Sequence, residues 1–488
     1  MIIRKWRISW KLSLALILLL TLAVYSGTMD HGLVHWDDGV YITSNPLVNG
    51  AGAWTEVFRL TFEGHYHPLT LLSLRFDHWL AGGGAWPFHL HNLLLHLLNI
   101  ILVWSFFRRL LPGSPGAFWV TLFFALHPLQ VEAVAWATAR KDLLYSFWFL
   151  ISLHAWDIHH RKGSSAAYAF TLLAFILALL SKAQAVMLLA LLPLLDHYMH
   201  RRPASYRMLW RYLPFLVLAA AATALAFHAQ AETGYTSGAS FRLGFTEMCG
   251  NVAYALVSYV IRMIAPVRLS AYYPYPVPGE DLPLWLYWAC VPAAMLLTAW
   301  ALAAWRWRSA AGLGMMWFLV LLFPMLRFIP VSNFITADRY TYLASAGFFL
   351  AVVWAMNKAR PVMRNAILIA FALLFTILAY LRTDVWKDSH SLLDDILTKH
   401  PAVLPALNAR GDLHLEQGNT DLAIADFTEA IRIRPAEARA WGNRGRAYAM
   451  QGRLPEALHD FGQALELQAD HVPVLINRAL VYELLRDT

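Results

Sequence analysis

Long apolar runs alternate with short polar segments along the chain up to about residue 382. A helix needs about 20 apolar residues to cross the hydrocarbon core of a membrane. Twelve runs approach that length: 9–28, 88–107, 117–134, 143–158, 166–181, 183–198, 210–229, 248–264, 283–304, 310–328, 341–356 and 364–381. The pattern predicts an all-α fold, a polytopic bundle of membrane helices.

Basic clusters predict the orientation of these helices, because Lys and Arg are enriched in cytoplasmic loops. They occur at every second loop from the front ("RKWR", Arg108–Arg109, "HHRK", "HRRP") and again toward the back ("RWR", "NKARPVMR"). The two series agree only if one run between 230 and 305 does not cross. The run 248–264 is short and contains Arg262. We therefore predict about eleven spans and an interfacial or re-entrant helix over 241–264 on the outer side.

Two alternatives stay open. All twelve runs could cross, which would place the C-terminal tail in the cytoplasm. The first run could also be a cleaved signal peptide, since it follows a basic flank, but no clear A-x-A site follows it. We predict an uncleaved first span, and either way the next loop, 29–87, lies outside the cytoplasm.

Composition agrees with a membrane protein. The chain is 59% apolar and 14% charged, whereas soluble proteins carry roughly 25% charged residues. Its 21 tryptophans suit many membrane–water boundaries. The net charge of +8 lies in short clusters between apolar runs, so it marks topology and argues only weakly for nucleic acid. Two cysteines, Cys249 and Cys290, do not make a disulfide framework.

The last hundred residues have a soluble composition and an internal repeat. "ARGDLHLEQGNTDLAIADFTEAIRIRP" from Ala409 and "NRGRAYAMQGRLPEALHDFGQALELQA" from Asn443 are 34 residues apart, the tetratricopeptide period. A third unit breaks off after its first helix. The chain therefore divides into a membrane domain, 1–382, with outer loops 29–87 and 230–282, and a tetratricopeptide repeat domain, 383–488, whose paired helices offer a concave face to a protein partner.

The first outer loop contains two adjacent carboxylates, Asp37 and Asp38, in "VHWDDGVYITSNP". Charged residues beside a membrane are costly and are often functional. Adjacent residues of an extended segment point to opposite sides, so one carboxylate can face a pocket while the loop holds the other. One carboxylate in such a site can be a general base for a hydroxyl. The alternative is that both cap a turn in a solvated loop.

Further unusual polar residues lie on the predicted outer side. They are His65, His67, His89, Glu132, Arg140, Lys182, Asp338, Arg339 and Tyr340. Outer cations break the positive-inside trend, and a lipid phosphate would explain them because Arg and Lys bind phosphate strongly. The alternative is ion pairing with nearby acids, Arg339 with Asp338 or Arg140 with Asp142. The histidine spacings also allow a metal site, but bonds across packed helices explain them as well, and we predict none.

A series of motifs resembles a known family. In order they are "WDDGVYITSNP", "HPLTLLSL", "FHLHNLLLHLLN", "FALHPLQVEAVAW…RKDLL", "SKAQAVMLLALLPLLD", "LSAYYPYP" and "ADRYTYLASAGF". Together they resemble bacterial relatives of the transmembrane and tetratricopeptide repeat-containing proteins, which are similar to protein O-mannosyltransferases and belong to the GT-C glycosyltransferases. The resemblance covers nearly the whole chain. One departure is His67, where animal members usually carry Arg.

The resemblance implies a reaction. Such enzymes transfer a sugar from a polyprenyl phosphate to a hydroxyl, usually with inversion. Here that implies transfer at the outer face of a bacterial cytoplasmic membrane. Asp37 would be the base and Asp38 its catalytic neighbour. Arg140, Lys182 and Arg339 would hold the donor phosphate. The substrate pocket would comprise His65, His67, His89, Glu132, Asp338 and Tyr340.

Two other functions compete with this one. A non-catalytic membrane scaffold could present the repeats to envelope proteins, but it leaves the outer polar residues without a role. A transporter is disfavoured, since no inverted repeat or pair of Gly/Pro-broken spans is evident. Under the enzyme hypothesis the partners are a polyprenyl phosphate lipid and an acceptor protein held by the repeats, with no nucleic acid, no certain cofactor and no divalent metal.

Overall fold

The computed structural model describes residues 9–50, 52–59, 61–200, 206–232, 244–326, 328 and 333–486. The chain divides into two compact units. One, the membrane unit, is Met1–His31 with Asp38–Trp386, and the other, the repeat unit, is Gly32–Asp37 with Lys387–Thr488. The border near residue 386 lies close to the predicted one at 382. The sequence did not indicate that residues 32–37 of the first outer loop group with the repeats.

The membrane unit is almost entirely helical in its described residues. Its helices are α1 (Trp10–Tyr25), α2 (Pro46–Asn49), α3 (Pro68–Ala81), α4 (Trp86–Leu110), α5 (Gly116–Leu126), α6 (Val131–Ala135), α7 (Arg140–Lys162), α8 (Ser165–Ser181), α9 (Leu188–Leu195), α10 (Tyr206–Glu232), α11 (Phe245–Ile264), α12 (Leu284–Arg306), α13 (Ala310–Leu322), α14 (Ala344–Ala355) and α15 (Pro361–Thr383). Single-turn helices connect them at Ser26–Asp30, Gly39–Thr43, Trp54–Phe58, Pro128–Gln130, Ala137–Ala139, Ala183–Met187, Asp196–His200, Phe323–Met325, Asp338–Thr341, Met356–Lys358 and Asp384–Trp386. The predicted all-α fold is confirmed.

Five helical segments of the described chain are long and apolar enough to cross a membrane: Trp10–Asp30, Trp86–Leu110, Leu209–Ala231, Leu284–Arg306 and Pro361–Trp386. The pair Gly116–Leu126 and Pro128–Ala135, bent by 50°, makes a sixth if it counts as one span. The helix α11, which we expected not to cross, is outside this group. These helices are typical of a multi-pass membrane protein, and the count of about eleven spans stays a prediction.

Small residues allow the membrane helices to pack closely. A Cβ on Gly314 of α13 would collide with the carbonyl oxygen of Gly347 in α14, and the reverse holds for Gly347. Such contacts are typical of membrane helices, where close backbone approach replaces the hydrophobic effect as the source of packing energy. The helix α5 packs against α14, and α7 lies against both α4 and α8.

A short antiparallel pair joins two loops of the membrane unit. Strand β1 (Tyr273–Pro274) pairs with β2 (Phe334–Thr336), which ends two residues before Asp338. The hydroxyl of Tyr259 in α11 bonds to both the amide and the carbonyl of Ala337, at 3.1 and 3.3 Å. The loop that carries Asp338, Arg339 and Tyr340 is thus fixed on two sides. Part of the predicted outer loop 230–282, residues 233–243, lies outside the described residues.

The repeat unit consists of antiparallel helix pairs: α16 (Ser389–Lys399), α17 (Leu404–Glu416), α18 (Thr420–Ile433), α19 (Ala438–Met450), α20 (Leu454–Leu467) and α21 (Val472–Arg486). The glycines of the repeat have a clear reason. A Cβ on Gly411 would overlap the ring of Phe427, and one on Gly445 would lie 2.7 Å from the ring of Phe461. Each glycine therefore lets an aromatic ring pack directly on the backbone of its partner helix.

Candidate functional site

Two of the predicted cations meet at one tyrosine ring. Arg339 lies 5.0 Å from the ring centroid of Tyr340, and the Lys182 ammonium lies 5.0 Å from the same centroid. Arg339 also lies 5.1 Å from the ring of Trp136, which follows α6. Cations over aromatic faces gain electrostatic energy from the ring quadrupole. We call Lys182, Arg339 and Tyr340, with the carboxylates described next, the Tyr340 cluster.

Each cation of the Tyr340 cluster has a buried carboxylate partner. The Arg339 guanidinium donates to Glu132 Oε1, and the Arg339 amide donates to Glu132 Oε2 at 3.0 Å. Lys182 Nζ donates to Asp142 Oδ1 at 2.5 Å. Asp142 is fully buried and Glu132 is 3% exposed. The suggested pairing of Arg339 with Asp338 is therefore not the one observed, because neighbouring residues of the turn Asp338–Thr341 face different directions.

Asp338 faces another arginine. It accepts from Tyr273 Oη at 2.9 Å and from Arg262 Nη1 at 3.4 Å. Arg262 in turn lies 4.0 Å from the ring centroid of Tyr273. Burial raises the pKa of the Asp338 carboxyl, and Arg262 opposes that rise. Sequence reasoning missed this contact, although a lone arginine in an apolar helix such as α11 is a signal that a buried acid lies opposite.

His67 lies near the lysines of the site. It is 5% exposed and stacks on Tyr41 with ring centroids 5.6 Å apart. Burial lowers the pKa of the His67 imidazole well below its ordinary value, and the positive charges of Lys141, His65 and Lys182 lower it further. His67 is therefore neutral near pH 7. A neutral imidazole can accept or donate a hydrogen bond, but it does not add a cation for a phosphate.

Arg140 lies in a different environment from Lys182 and Arg339. Its Nη2 donates to Asp77 Oδ2 at 2.6 Å and to the Phe88 carbonyl at 2.8 Å, and its Nε donates to Asn92. Its suggested partner Asp142 binds Lys182 instead. Arg140 is 1% exposed, and this network joins α7 to α3 and α4. These bonds engage Nε and Nη2 of the Arg140 guanidinium, so they favour a structural role for this side chain.

The polar stripe of α4 mostly bonds across packed helices. His96 forms hydrogen bonds with Tyr342 Oη at 2.7 Å and with the Ala125 carbonyl at 3.1 Å. Asn99 donates to the Leu143 carbonyl at 3.0 Å. His89 is buried, with its ring 5.9 Å from that of His31. Among the residues that the structure describes, no group of three or more His, Cys, Asp and Glu side chains is arranged to hold a metal ion.

An apolar cavity of about 570 Å³ lies beside Arg140. Its wall is mostly leucine and aromatic, with Ser73, His91 and Arg140 as its polar members. Arg140, Leu144 and Trp148 of α7 all line it, four residues apart and thus on one helix face. Asp142 and Tyr145, on a neighbouring face, contact Lys182. The helix α7 therefore has an apolar cavity on one face and the Tyr340 cluster on another.

The acidic pair is divided between the two units. Asp38 is 1% exposed, begins the second segment of the membrane unit, and accepts from the Thr138 amide at 3.1 Å. Asp37 is half-buried and ends the short segment that groups with the repeat unit. Asp38 is thus the loop-fixing member of the pair. Asp37 has the greater access, and the pair lies in a turn that leads into the helical backbone conformation of Asp38 rather than in the extended segment that we expected.

Comparison with known proteins identifies the repeat and several relatives of known name. Residues 408–471 match the family model of the tetratricopeptide repeat. The chain is 24% identical over 430 residues to a protein O-mannosyl-transferase of Caenorhabditis elegans, covering 82% of this chain and 60% of that protein. It is 26% identical over 445 residues to mouse protein O-mannosyl-transferase TMTC4, covering 75% of this chain and 57% of that protein.

A shorter match has a higher identity, and a structural match is distant. Human protein O-mannosyl-transferase TMTC2 is 35% identical over 158 residues, which cover 30% of this chain and 19% of that protein. The oligosaccharyltransferase of Archaeoglobus fulgidus aligns with a TM-score of 0.41 and 13% identity over 85% of this chain and 58% of that one, too distant a likeness to bear on the fold.

The fraction of each protein that the matches cover limits what can be concluded from them. The chain spans 60% or less of the length of these relatives. Two of the matches nevertheless cover three quarters or more of this chain. The chain is therefore a relative of the transmembrane and tetratricopeptide repeat-containing protein O-mannosyl-transferases.

Proposed function

We propose that this chain is a membrane glycosyltransferase of the GT-C type. Its donor is a sugar on a polyprenyl phosphate, and its acceptor is a hydroxyl of a protein serine or threonine. The reaction takes place at the outer face of a bacterial cytoplasmic membrane and inverts the anomeric centre. The names of the relatives, protein O-mannosyl-transferases, support a hexose and a protein acceptor.

The two-faced environment of α7 carries this proposal. A polyprenyl phosphate has an apolar chain and an anionic head, so its site needs an apolar cavity and cations close to each other. One face of α7 lines the cavity of about 570 Å³. Another face contacts Lys182, which shares the Tyr340 ring with Arg339. The scaffold alternative leaves both features without a use.

The carboxylates of the Tyr340 cluster do not exclude a phosphate. An ammonium has three donors, and Asp142 accepts from one donor of Lys182 at 2.5 Å. The Lys182 side chain is 14% exposed, so a further acceptor can approach it. Glu132 and Asp142 would orient the two cations before the donor arrives. Preorganised charges of this kind stabilise developing charge without reorganisation during the reaction.

The proposed reaction needs one base. Asp37 takes the proton of the acceptor hydroxyl while its oxygen attacks the anomeric carbon. The bond between that carbon and the phosphate oxygen breaks, and the lipid phosphate departs as an anion that Lys182 and Arg339 stabilise. No general acid is required, because the leaving group does not need a proton. The half-buried state of Asp37 and the buried, bonded state of Asp38 support this assignment of roles.

The acceptor protein is assigned to the repeat unit. A polar cavity of about 480 Å³ in that unit is lined by residues that include Asp412, Arg439, Asn443 and Arg446. Its mixed charges suit a polypeptide with polar side chains. If the tail lies outside the cytoplasm, alkaline phosphatase fused after residue 400 will be active. Activity of a cytoplasmic reporter alone at that position would contradict the proposed topology.

Lipid extraction and a transfer assay test the function. Mass spectrometry of lipid that co-purifies with the full chain should detect a prenyl phosphate or its glycosylated form. The purified chain should then move labelled hexose from a synthetic prenyl-phosphate-hexose to a serine- or threonine-containing protein fraction. A chain that binds no prenyl phosphate and transfers no hexose, while remaining folded, would overturn the proposal in favour of the scaffold.

A further inference from the structure

The segment that ends at Asp37 is bonded to the repeat unit. The Gly32 amide donates to the Lys387 carbonyl at 2.9 Å, and the His35 amide donates to Ser389 Oγ at 2.8 Å. Within the segment, the Trp36 amide donates to the Val34 carbonyl at 2.7 Å, which makes a tight turn. Residues 32–37 are therefore held against the start of α16 at two points.

The His35 side chain extends this attachment to the next helix. Its Nδ1 lies 3.8 Å from Glu416 Oε1 at the end of α17. His35 is also part of the wall of the polar cavity of about 480 Å³, beside Glu416 and Asp412. Asp412 is itself fixed by Arg446, whose Nη2 lies 2.6 Å from Asp412 Oδ1. A polypeptide in this cavity would touch a residue two positions from Asp37.

Asp37 is the last residue of the attached segment, and Asp38 follows it directly in the chain. His35 is bonded to Ser389 on one side of Asp37, and Asp38 is bonded to the Thr138 amide on the other. Asp37 is thus the residue between two fixed points. Shifting the first of them changes where its carboxylate points, and a displacement of about 1 Å at a reacting group can cost roughly 100-fold in rate.

We propose that Ser389 is a positioning residue for Asp37, and that the repeat unit sets the activity of the acidic motif through its hold on residues 32–37. The catalytic part of this inference rests on the proposed function, since it takes Asp37 as the base. The repeats thereby have a second role besides holding the acceptor, because they position Asp37. An acceptor in the cavity beside His35 would contact the same segment that carries Asp37.

Hydrogen exchange of the full chain in detergent tests the attachment. Ser389→Ala removes the acceptor of the His35 amide, so peptides covering residues 33–37 should exchange roughly 5-fold faster, the factor that one neutral hydrogen bond supplies. Ser389→Thr keeps the hydroxyl and should restore slow exchange. Ser391→Ala, in the same turn of α16, is the matched control and should not change these peptides. Unchanged exchange in Ser389→Ala would overturn the attachment.

The transfer assay on the same variants tests the positioning. Ser389→Ala should lower kcat about 10-fold or more while leaving prenyl-phosphate-hexose affinity unchanged, and Ser389→Thr should restore kcat. Faster exchange with normal kcat would overturn the positioning role. Absence of transfer by the wild-type chain would overturn the proposed function and the catalytic part of this inference, whereas the exchange result would still decide whether the attachment exists.

Discussion

The two units use arginine–carboxylate pairs in different ways. In the repeat unit, Arg410 binds Asp426 through two nitrogens, and 34 residues later Arg444 binds Asp460 in the same manner. In the membrane unit, Arg339 pairs with Glu132, outside the 34-residue repeat. It lies among aromatic rings and shares one of them with Lys182.

This difference separates scaffolding from chemistry. A pair that recurs with the repeat period fixes the geometry of each helix pair, so the architecture alone explains it. A buried pair outside the repeat does not by itself indicate function, since Arg140 and Asp77 also form one that joins helices. The pair of Arg339 and Glu132 differs because a second cation, Lys182, shares the Tyr340 ring with Arg339. The cost of burying its charges is offset only by good geometry, and structural pairs of this kind contribute little net stability. We therefore propose that the donor phosphate binds at the Tyr340 cluster.

The largest effect on transfer is expected from Asp37, whose carboxylate belongs to neither kind of arginine pair. Asp37→Asn keeps the size of the side chain and removes the base, so transfer should fall by about 100-fold or more. Asp38→Asn should be milder, because the asparagine can still accept from the Thr138 amide. The measurement is transfer per folded molecule, together with donor binding and expression.

Asp460→Asn is the matched control for Asp37→Asn, since it changes a carboxylate of a recurring pair, whereas Arg410, the partner of Asp426, also binds Asp394 of α16, the helix that holds residues 32–37. It should lower the stability of the repeat unit without changing transfer per folded molecule. Near-normal transfer in Asp37→Asn would end its assignment as the base. Loss of transfer in Asp38→Asn alone would assign the role of the base to Asp38 instead.

A smaller effect should stay within the repeat unit. Gly445→Ala places a methyl group 2.7 Å from the Phe461 ring, and such overpacking costs about 1–3 kcal/mol. Gly462→Ala, in the helix that carries Phe461, meets nothing within 4 Å and should be neutral or slightly stabilising. Hydrogen exchange of α19 and α20 measures both changes. Equal destabilisation by the two would show that the glycine–aromatic contact is not what the repeat requires.

The smallest effect concerns His67 and pH. The folded chain holds this imidazole neutral, whereas the unfolded chain takes up a proton below its ordinary pKa of 6.5. The contribution of His67 to stability is therefore lost as pH falls below 6.5, by up to about 1.4 kcal/mol per pH unit. His67→Asn should show a flatter loss of thermal stability between pH 6.5 and 5. Parallel curves for the two proteins would contradict a neutral buried His67.

The sequence predicted the fold better than the partners of its charges. Apolar runs and the 34-residue repeat are local patterns, and the helices and the glycine–aromatic contacts follow from them. Charge pairing is tertiary. Arg339 binds Glu132 rather than the adjacent Asp338, and Arg140 binds Asp77 rather than the nearby Asp142. Nothing in the local pattern distinguishes these partners, because helix packing decides which side chains face each other.

The contacts of Arg262 and of residues 32–37 are two further tertiary contacts that the sequence could not predict. Arg262 was visible as a charge in an apolar helix, but its partner Asp338 is 76 residues away. The bonds from Gly32 and His35 to the start of α16 join parts of the chain that are 354 residues apart in the case of His35 and Ser389. A single sequence contains no signal of that spacing, so the division of the acidic pair was not predictable.

Removing one whole ion pair from each unit tests the central claim most directly. Arg339→Met with Glu132→Gln removes the pair at the Tyr340 cluster, and Arg410→Met with Asp426→Asn removes a recurring pair, so neither variant leaves a single buried charge. Binding of a synthetic prenyl-phosphate-hexose to each folded protein is then measured by titration. We predict that the first variant weakens binding by about 10-fold or more, since a charged hydrogen bond contributes about 1.5–3 kcal/mol, and that the second leaves it unchanged. Equal donor affinity in the two variants would contradict a phosphate site at the Tyr340 cluster.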